Sequence, residues 1–555
     1  MAATRFDVVK RDVTVFRARR ILTLERGAPF VDAVAVCDGK VLHTGVFEDV
    51  ISDLVGWSIV IDDRFANDVI VPGFVEAHCH ALEEGALSGF PWVGTYDRRS
   101  ASGAIRKGCP TTTAAVERIR EAHRDLESPS EVLTCLGWDP TLAHGGPITR
   151  DLLDTVSTER PIFVLQSNGH IGHCNSGLMK LIDLDSRTEV HGVILDATGN
   201  PTGELRELAL TLVLGRLVDL EKGGDESVRN VGELARQVGC TTITDLAFAA
   251  TSNAITDYSK VVNTSSFPTR IVYAPFIQVL NQSIDGSVFD HVASLATFDT
   301  VKFRRGPIKF VLDGSVQGRS ARLNWPGYCC GDPNGMWLAE PEVMVEMMRP
   351  YHQHGYQLAL HTNGDEAVDR GIDVYKALLD EHPRYDHRHR LEHAQLASDS
   401  AFRRMKSLGI CVNLFSNHNY YFGDVHRNTT AGPAKARHLN ACATAEQLGI
   451  PFSIHCDAPV TPLNPLFTAW CAVNRVTSSG FELGRSERIS PFSALRAITL
   501  GAAHLLRMDH EIGSIEVGKY ADFAILNEDP TEIDPIEIKD VTVRGTVLAG
   551  IAQPN

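Results

Sequence analysis

The sequence lacks several features that mark large classes of proteins. It has no run of about 18 apolar residues, so no transmembrane helix is expected. Its first residues contain neither an apolar segment of signal-peptide length nor a small-residue cleavage site, which argues against secretion. The 12 cysteines are scattered and contain no C-x-x-C pair. This excludes a disulfide-rich secreted scaffold, and we expect reduced thiols in a cytoplasmic protein.

Positive charge is also in deficit, with 53 Lys and Arg against 69 Asp and Glu and a net charge of −16. Proteins bind polyanions through an excess of positive charge, so neither nucleic acid nor an anionic membrane is the expected main partner. The remaining composition, 43% hydrophobic and 22% charged, is that of a globular protein and excludes a disordered chain.

The two ends of the 555-residue chain carry the same kind of pattern. Short β-like runs separated by turns, among them Asp38-Gly39, occupy residues 11–70, and the C-terminal tail reads similarly. Because chain ends often lie close in space, we predict that both ends form one small β-sandwich. The predicted domains are therefore 1–70 and 506–555 for the sandwich and 71–505 for a central domain.

The middle of the chain alternates short apolar runs with longer amphipathic stretches, which predicts repeated βα units and a parallel sheet. The candidate strands, in chain order, are Val69–Val75, Glu131–Leu136, Pro161–Gln166, Thr241–Thr244, Thr269–Ala274, Ile308–Leu312, Gln357–His361, Arg390–His393, Ile410–Leu414 and Pro451–His455. The second and third fall in a long stretch that we interpret as an insertion at about 81–235. The other eight fit an α/β fold, a (β/α)8 TIM-type barrel with the insertion after its first strand.

The first predicted barrel strand ends in V-P-G-F-V-E-A-H-C-H, where one residue separates His78 from His80. Residues i and i+2 of a strand point to the same face, so both imidazoles are expected at the C-terminal mouth of the barrel. Two neutral imidazoles on one face suit a divalent transition metal. Taken alone, however, two such histidines are more often core or surface residues.

Further candidates lie at the ends of other predicted strands. His361 closes the run YQLALH, His393 closes RLEH, and Asp457 follows PFSIHC. Any one of them alone would be interpreted as a core residue. Four histidines and one aspartate at the mouths of four strands favour a metal site, because the carboxyl ends of barrel strands meet there.

Lys309 is unusual because it lies inside the apolar strand of G-P-I-K-F-V-L-D-G-S. A charged lysine buried beside metal ions would be costly. Its neutral amine can instead react with carbon dioxide to give an anionic carbamate, whose two oxygens could bridge two metals. A lysine that snorkels, or that pairs with an acid such as Asp313, is equally consistent with the sequence.

Together these motifs resemble the amidohydrolase superfamily, and in particular its YtcJ-like branch, which includes N-substituted formamide deformylases. The resemblance rests on PGFVEAHCH, KFVLDGS, LALHTNGD, RLEHAQL, HCDAPV and GSIEVGKYADFAIL, and it runs from about residue 10 to about residue 550. The predicted insertion adds LGWDP, QSNGHIGHCNSGL and NPTGELRE.

The resemblance implies a metal-ligand set consisting of His78, His80, Lys309, His361, His393 and Asp457. In that set His78 and His80 would hold the more buried metal, and Asp457 would bind it and serve as the proton shuttle. Lys309, carboxylated, would bridge to a second metal held by the remaining two histidines. One or two ions per chain, zinc being the simplest choice, are expected.

The resemblance also implies residues that contact the substrate. His170 resembles the histidine of the branch's G-H-x4-N-S motif and would face the substrate. Arg319 matches the arginine after the D-G-S stretch and would line the pocket, of which Trp138 would form a wall. Glu76 replaces the family's usual aspartate and points to the same face as His78, which suggests a supporting role behind the ligands. A homodimer is the family-level expectation.

The expected function is therefore metal-dependent hydrolysis of an amide-type C–N bond in a small N-substituted amide or formamide. A deaminase, or a hydrolase of cyclic amides or carbamates, is the first alternative on the same site, because fold does not fix the reaction. A metal-dependent lyase or decarboxylase fits the same barrel. A non-catalytic binding protein is expected to have lost ligand residues, whereas all the ligand positions are filled here.

Overall fold

The computed structural model describes residues 12–128, 130–167, 169–214 and 224–555. Residues 1–11, at the start of the predicted sandwich, and residues 215–223, in the predicted insertion, lie outside the described residues. Within the described ranges, every helix is too short or too polar to cross a bilayer.

The N-terminal segment is rich in β structure, as the alternation of its apolar residues predicts. Its elements are β1 (Asp12–Leu22), β2 (Phe30–Cys37), β3 (Lys40–Gly45), α1 (Phe47–Asp53), β4 (Ser58–Asp62) and β5 (Val69–Pro72). β2 and β3 form a hairpin whose turn residues, Asp38 and Gly39, have positive φ angles of 50° and 75°. This turn geometry matches the twist of the paired strands, which accounts for the Asp-Gly sequence.

The predicted first barrel strand, Val69–Val75, is divided at Gly73. Its first half is β5, whereas its second half is β6 (Phe74–Glu76), which belongs to a different sheet. A Cβ atom at Gly73 would lie 2.1 Å from Thr241 Oγ1. Glycine is therefore required where the chain passes from one sheet into the other.

The segment after β6 builds a sheet of its own. Its elements are α2 (Ala81–Leu87), β7 (Arg98–Arg99), β8 (Ile105–Arg106), α3 (Thr112–Asp125), β9 (Leu133–Trp138), α4 (Arg150–Asp154), β10 (Ile162–Gln166), β11 (Ile171–Cys174), α5 (Ser176–Leu181), β12 (Val193–Leu195), β13 (Pro201–Arg206) and α6 (Thr211–Leu214). β9 and β10, the two strands that the sequence analysis set aside from the barrel, pair in parallel in the sheet β12-β13-β11-β10-β9.

The central part of the chain alternates strands with helices and contains the largest buried apolar cluster. Its elements are α7 (Gly224–Gln237), β14 (Cys240–Phe248), α8 (Ser252–Val262), β15 (Arg270–Pro275), α9 (Ile277–Ser283), α10 (Val288–Ser294), β16 (Phe303–Arg305), β17 (Ile308–Val311), α11 (Pro341–Gln353), β18 (Leu358–Thr362), α12 (Asp365–Glu381), β19 (Arg390–His393), α13 (Asp399–Leu408), β20 (Cys411–Leu414), α14 (His418–Tyr421), α15 (Gly423–Val425), α16 (Gly432–Ala436), α17 (Cys442–Gln447), β21 (Phe452–Ile454), α18 (Pro465–Asn474), α19 (Pro491–Ala497) and α20 (Leu500–Leu505).

The barrel strands run parallel in two hydrogen-bonded groups, β6-β14-β15-β16 and β17-β18-β19-β20-β21. A parallel bridge between Phe276 and Lys309 joins the groups on one side. On the other side, His80 N–H donates to the Ala458 carbonyl at 2.7 Å. The result is a TIM-barrel-type fold with mixed α/β content, as predicted. β16, which pairs with β15, was not predicted from the sequence.

The C-terminal segment returns to the N-terminal strands. It forms β22 (Phe523–Leu526), β23 (Val543–Leu548) and β24 (Ile551–Pro554). β22 pairs antiparallel with β5, so the two ends share one sheet of order β24-β23-β22-β5-β1-β2-β3, with β4 beside β1. A buried ion pair between Arg270 of β15 and Asp522 connects this sheet to the barrel.

Candidate active site

Three predicted ligands converge at the C-terminal mouth of the barrel, where β6 and β21 end. His78 Nε2 lies 3.1 Å from Asp457 Oδ1, and His80 Nε2 lies 3.2 Å from the same oxygen. The ligand atoms of these residues all lie within 4.8 Å of one another. Two imidazoles and one carboxylate at this spacing are a donor set that divalent transition metals bind in proteins.

The other three predicted ligands line the same cavity, which has a volume of about 240 Å³. Lys309 extends from β17, His361 from β18 and His393 from β19, and all three are buried. The His393 ring centroid lies 4.5 Å from that of His78 and 4.6 Å from that of His361. The structure thus brings all six predicted positions to one cavity.

Two of these residues have an unusual backbone conformation. His393 has a φ of 67° and Asp457 a φ of 54°, in the left-handed region that residues other than glycine rarely adopt. Side chains alternate across a regular strand, so a regular backbone would direct Glu392 and His393 to opposite faces. Here both side chains contact His78. Such strain, about 1–3 kcal/mol per residue, persists mainly at functional sites.

Glu392 is a site residue that the sequence analysis missed. His78 Nδ1 donates a hydrogen bond to Glu392 Oε2 at 2.6 Å, and the same carboxylate pairs with Arg390 at 2.5 Å. The bond fixes the tautomer of His78 so that Nε2 remains as the ligand atom. Burial raises the pKa of Glu392, but Arg390 and His78 outweigh it and lower that pKa to about 2. An acid directly before a predicted ligand, on a buried strand, was the available signal.

Asp313 orients the loop that follows His361. Its carboxylate accepts the backbone N–H groups of Asn363 at 2.9 Å and Gly364 at 3.0 Å. Its Oδ1 also lies 3.5 Å from His361 Nδ1. The sequence allows Asp313 to pair with Lys309, but in the structure these contacts place its carboxylate against His361.

Burial changes the protonation of two cavity residues in opposite ways. It lowers the pKa of Lys309 to about 8, although the Glu392 and Asp457 carboxylates oppose the change. It raises the pKa of Asp457, but the His78 and His80 rings outweigh burial and hold that pKa well below its usual range. A neutral lysine amine is therefore accessible near neutral pH, and the aspartate is ionised.

Glu76 connects the first barrel strand to the loop after β21. Its Oε1 accepts the His78 N–H at 3.1 Å, and its Oε2 accepts the Cys456 N–H at 3.2 Å. Burial raises the thiol pKa of Cys456 and of Cys79, whose sulfur donates to the Thr244 carbonyl. Burial therefore favours the protonated form of both thiols.

His455 joins the cluster although it was not predicted as a ligand. Its ring stacks on His78 with the centroids 4.6 Å apart. The ligand atoms of His78, His393 and His455 also lie within 4.8 Å of one another. His455 lies two residues before Asp457, the same spacing that linked His78 to His80 in the sequence, so this spacing was the available signal.

The three predicted substrate-binding residues occupy different parts of the mouth. His170 lines the reaction cavity and also two adjoining chambers of about 220 and 890 Å³. Arg319 and Trp138 line the larger chamber, where Arg319 pairs with Asp332 and Trp138 is fully buried. In the described structure, these two residues stand apart from the cavity that holds the six ligand positions.

The segment between β6 and β14 holds the loop that follows Asp457. The Tyr96 hydroxyl donates to the Val460 carbonyl at 2.6 Å, and Arg98 donates to the Pro459 carbonyl at 2.8 Å. Arg98 is itself fixed by a buried ion pair with Glu84. The segment between β6 and β14 therefore shapes the mouth of the barrel directly.

The fold and this donor cluster define a metal-dependent hydrolase of the TIM-barrel type. The amidohydrolase family profile matches residues 66–551. The chain belongs to the amidohydrolase family, and it is a metal-dependent amidohydrolase that acts on carbon–nitrogen bonds. The resemblance stated from the sequence is confirmed.

Curated relatives align over most of the chain at about a quarter identity. The chain is 26% identical to Protein LONG AFTER FAR-RED 3 of Arabidopsis thaliana, over 91% of this chain and 86% of that protein. It is 25% identical to the putative amidohydrolase YtcJ of Bacillus subtilis, over 96% of this chain and 97% of that protein. It is also 25% identical to the N-substituted formamide deformylase of Arthrobacter pascens, over 98% of each.

Solved structures support the fold. An uncharacterized metal-dependent hydrolase from Pyrococcus horikoshii matches with a TM-score of 0.72 at 19% identity, over 94% of this chain and 99% of that one. An adenosine deaminase from Xanthomonas campestris, solved with bound zinc, matches with a TM-score of 0.53 at 14% identity, over 98% of this chain and 94% of that one.

Proposed function

We propose that this chain hydrolyses the amide-type C–N bond of a small N-substituted amide or formamide. The observation that carries the proposal is the convergence of six polar side chains on one cavity of about 240 Å³. Similarity over nearly the full length to an N-substituted formamide deformylase supports this substrate class.

The cavity residues fit a divalent metal. His393 Nδ1 is buried and has no hydrogen-bond partner within the described residues, and Asp457 Oδ1 faces the two histidine nitrogens that would share an ion with it. Such atoms are costly to leave unpaired, and coordination would satisfy them. Because imidazole and carboxylate donors suit zinc, we propose one or two zinc ions per chain.

His78, His80 and Asp457 would hold the more buried ion, and His361 and His393 would hold a second. Lys309 would connect the two after its neutral amine forms a nitrogen–carbon bond to carbon dioxide and releases one proton to solvent. The burial and lowered pKa of Lys309 support that reaction. A divalent ion supplies Lewis-acid polarisation of a carbonyl and a source of hydroxide at neutral pH.

Asp457 is the proposed proton shuttle. Its ionised carboxylate can accept a proton from the attacking water and then donate it to the leaving nitrogen, so one group serves both steps. His170 would contact the substrate near the reacting bond, because it lines the reaction cavity. Arg319 and Trp138 would contact the distal part of the substrate in the larger chamber.

We also propose the division into domains that the sequence predicts. Residues 1–70 and 506–555 would tie down the chain ends, and residues 71–505 would form the barrel, with the insertion at about 81–235 capping its mouth. The shared sheet of β5 and β22 and the contacts of Tyr96 and Arg98 support this division. A small-molecule partner, a homodimer and a cytoplasmic location remain predictions.

A substrate panel on the zinc-loaded protein tests the proposed function. It contains linear N-substituted formamides and amides, cyclic amides and carbamates, and amidines. Release of a carboxylate and an organic amine from the linear compounds is the expected result. Ammonia release from amidines alone would replace the proposal by a deaminase, and carbon dioxide evolution would reveal a decarboxylase. Absence of turnover across the panel would contradict the proposal.

A further inference from the structure

One wall of the reaction cavity carries a directed chain of hydrogen bonds. Asn363 Nδ2 donates to the Gly314 carbonyl at 2.9 Å, which fixes the orientation of the Asn363 amide. Gln395 Nε2 then donates to Asn363 Oδ1 at 2.6 Å. The remaining oxygen of Gln395, Oε1, lies 2.8 Å from His418 Nδ1. Asn363, Gln395 and His418 all line the cavity.

The direction of this chain sets the tautomer of His418. A carbonyl oxygen can only accept, so His418 Nδ1 carries the proton and donates it to Gln395 Oε1. Flipping either amide would set two oxygens against each other, so the assignment follows from the backbone carbonyl of Gly314. Burial lowers the pKa of His418 well below its usual value. The ring is therefore neutral, and Nε2 carries a lone pair.

Nε2 of His418 has no hydrogen-bond partner within the described residues, although the residue is only 1% exposed. The rings of Phe415 and Phe422 pack against it, with centroids 3.8 and 4.6 Å away, and offer no donor. The ring of His426 lies 5.7 Å away between centroids; its Nδ1 pairs with the Thr430 hydroxyl, and its Nε2 makes no hydrogen bond to His418 or to any other described residue. A buried acceptor without a donor is costly, so we look for the donor in the cavity that His418 lines.

We propose that His418 Nε2 accepts a hydrogen bond from the N–H of the scissile amide, which makes His418 a substrate-binding residue. Gln395 and Asn363 are positioning residues, because they act through His418. The inference rests on the proposed amide hydrolysis and narrows its substrate class. The cavity that holds the ligand positions is small, so the donor that meets His418 belongs to the reacting group itself.

The substrate class follows from the polarity of this contact. An amide carbonyl cannot donate, so the amide nitrogen must retain a hydrogen atom. Formyl or acyl derivatives of primary amines meet this condition. Tertiary amides, in which the nitrogen carries two carbon substituents besides the acyl group, do not meet it.

A pair of non-hydrolysable ligands tests the contact without relying on turnover. N-benzylmethanesulfonamide carries the N–H, and the matched sulfone replaces that NH by CH₂ without added bulk. Calorimetry gives Kd values for both compounds with zinc-loaded wild-type protein, with His418→Phe and with His418→Asn. The phenylalanine variant keeps the ring packing but removes the acceptor. The asparagine variant keeps a donor for Gln395 if the first variant folds poorly.

We expect wild-type protein to bind the sulfonamide roughly ten- to a hundredfold more tightly than the sulfone. In His418→Phe the preference should fall to near unity through weaker sulfonamide binding, with the sulfone Kd and the zinc content unchanged. Equal preference in wild type and both variants, or failure of wild-type protein to bind either compound, would overturn the inference.

Turnover separates this inference from the proposed function. If His418 sets the preference for the sulfonamide but no amide is hydrolysed, the contact stands and the proposed function fails. If secondary and tertiary amides are hydrolysed equally well, the function stands and the role of His418 is overturned.

Discussion

Asp457 is the residue on which the proposed chemistry depends most. It lies within 3.2 Å of two histidine nitrogens and has a pKa well below its usual range. Asp457→Asn keeps one carbonyl oxygen but cannot take up a proton, so kcat should fall about 10²- to 10⁴-fold. Steady-state kinetics and elemental analysis of the same preparation check this. Metal content near that of wild type is expected, and a wild-type kcat would refute the shuttle.

Glu392 orients His78 and strengthens it as a metal ligand. Glu392→Gln replaces the carboxylate that accepts the His78 Nδ1–H, so His78 becomes a weaker ligand. Metal affinity should fall about 10- to 100-fold, measured by competition with a chromophoric chelator. Thermal unfolding of the metal-free proteins is the control, because Arg390 also loses its charged partner. Unchanged affinity in a folded variant would show that the bond does not tune the site.

Residues of the candidate site were predictable where strand ends display them. The histidines of A-H-C-H, L-A-L-H and R-L-E-H and the aspartate of H-C-D all reach one cavity. Glu392, Asn363 and Gln395 were missed, because they act across strands. His78 and Glu392, which contact each other, are 314 positions apart in the sequence, and Gln395 and His418 are 23 positions apart.

At the scale of elements, a buried histidine cluster beside the first residues of β18 and β19 should make the stability of the fold depend on pH. His352 Nε2 donates to the His382 carbonyl, so its Nδ1 accepts from His389 Nε2 at 2.8 Å. His389 Nδ1 in turn accepts the Leu358 N–H. Both rings are thereby held neutral, and burial lowers the pKa of each. Arg384, beside the cluster, acts in the same direction.

A histidine whose folded-state pKa is lowered stabilises the fold fully above its unfolded value, about 6.5, and progressively less below it. When the pH is lowered from 7 to 5.5, the free energy of unfolding measured by urea titration should therefore decrease by up to about 1.4 kcal/mol per pH unit for each titrating histidine. His389→Gln should flatten this dependence, whereas His510→Gln, at an exposed position, should not. Parallel pH profiles for wild type and His389→Gln would contradict the assignment.

Two strands could not be predicted correctly from the periodicity of apolar residues. The apolar run Val69–Val75 predicts one strand, but the close approach of Thr241 to Gly73 divides it between two sheets. β16 is only three residues long, Phe303–Arg305, and carries two arginines, so its pattern does not stand out. The turn at Asp38-Gly39 was predictable, because it depends on the local φ preference of two residues.

At the scale of the whole molecule, the buried ion pair between Arg270 and Asp522 connects the barrel to the sheet of the chain ends. Asp522→Asn leaves Arg270 buried without a counter-charge and should lower the free energy of unfolding by about 3–5 kcal/mol. Asp63→Asn is the matched control, because its pair with Arg17 is exposed and should change that free energy by less than about 1 kcal/mol. Denaturant titration measures the free energy of unfolding of both variants. Equal decreases would show that the buried ion pair contributes no more to stability than the exposed one.

The architecture was predictable because βα alternation and β-rich ends are properties of long segments. The arrangement of the mouth was not, since it depends on contacts such as Arg98 with Glu84 and Tyr96 with Val460, which join distant parts of the chain. Chamber volumes and the separation of Arg319 from the reaction cavity follow from that packing rather than from any local motif.

Metal content per chain tests the central claim most directly. Elemental mass spectrometry on protein purified without chelator, and again after reconstitution with zinc and bicarbonate, should find about one to two ions per chain. Removal of the ions should abolish amide hydrolysis, and zinc should restore it. A chain that binds no metal under either condition, or that hydrolyses amides after complete metal removal, would contradict the account.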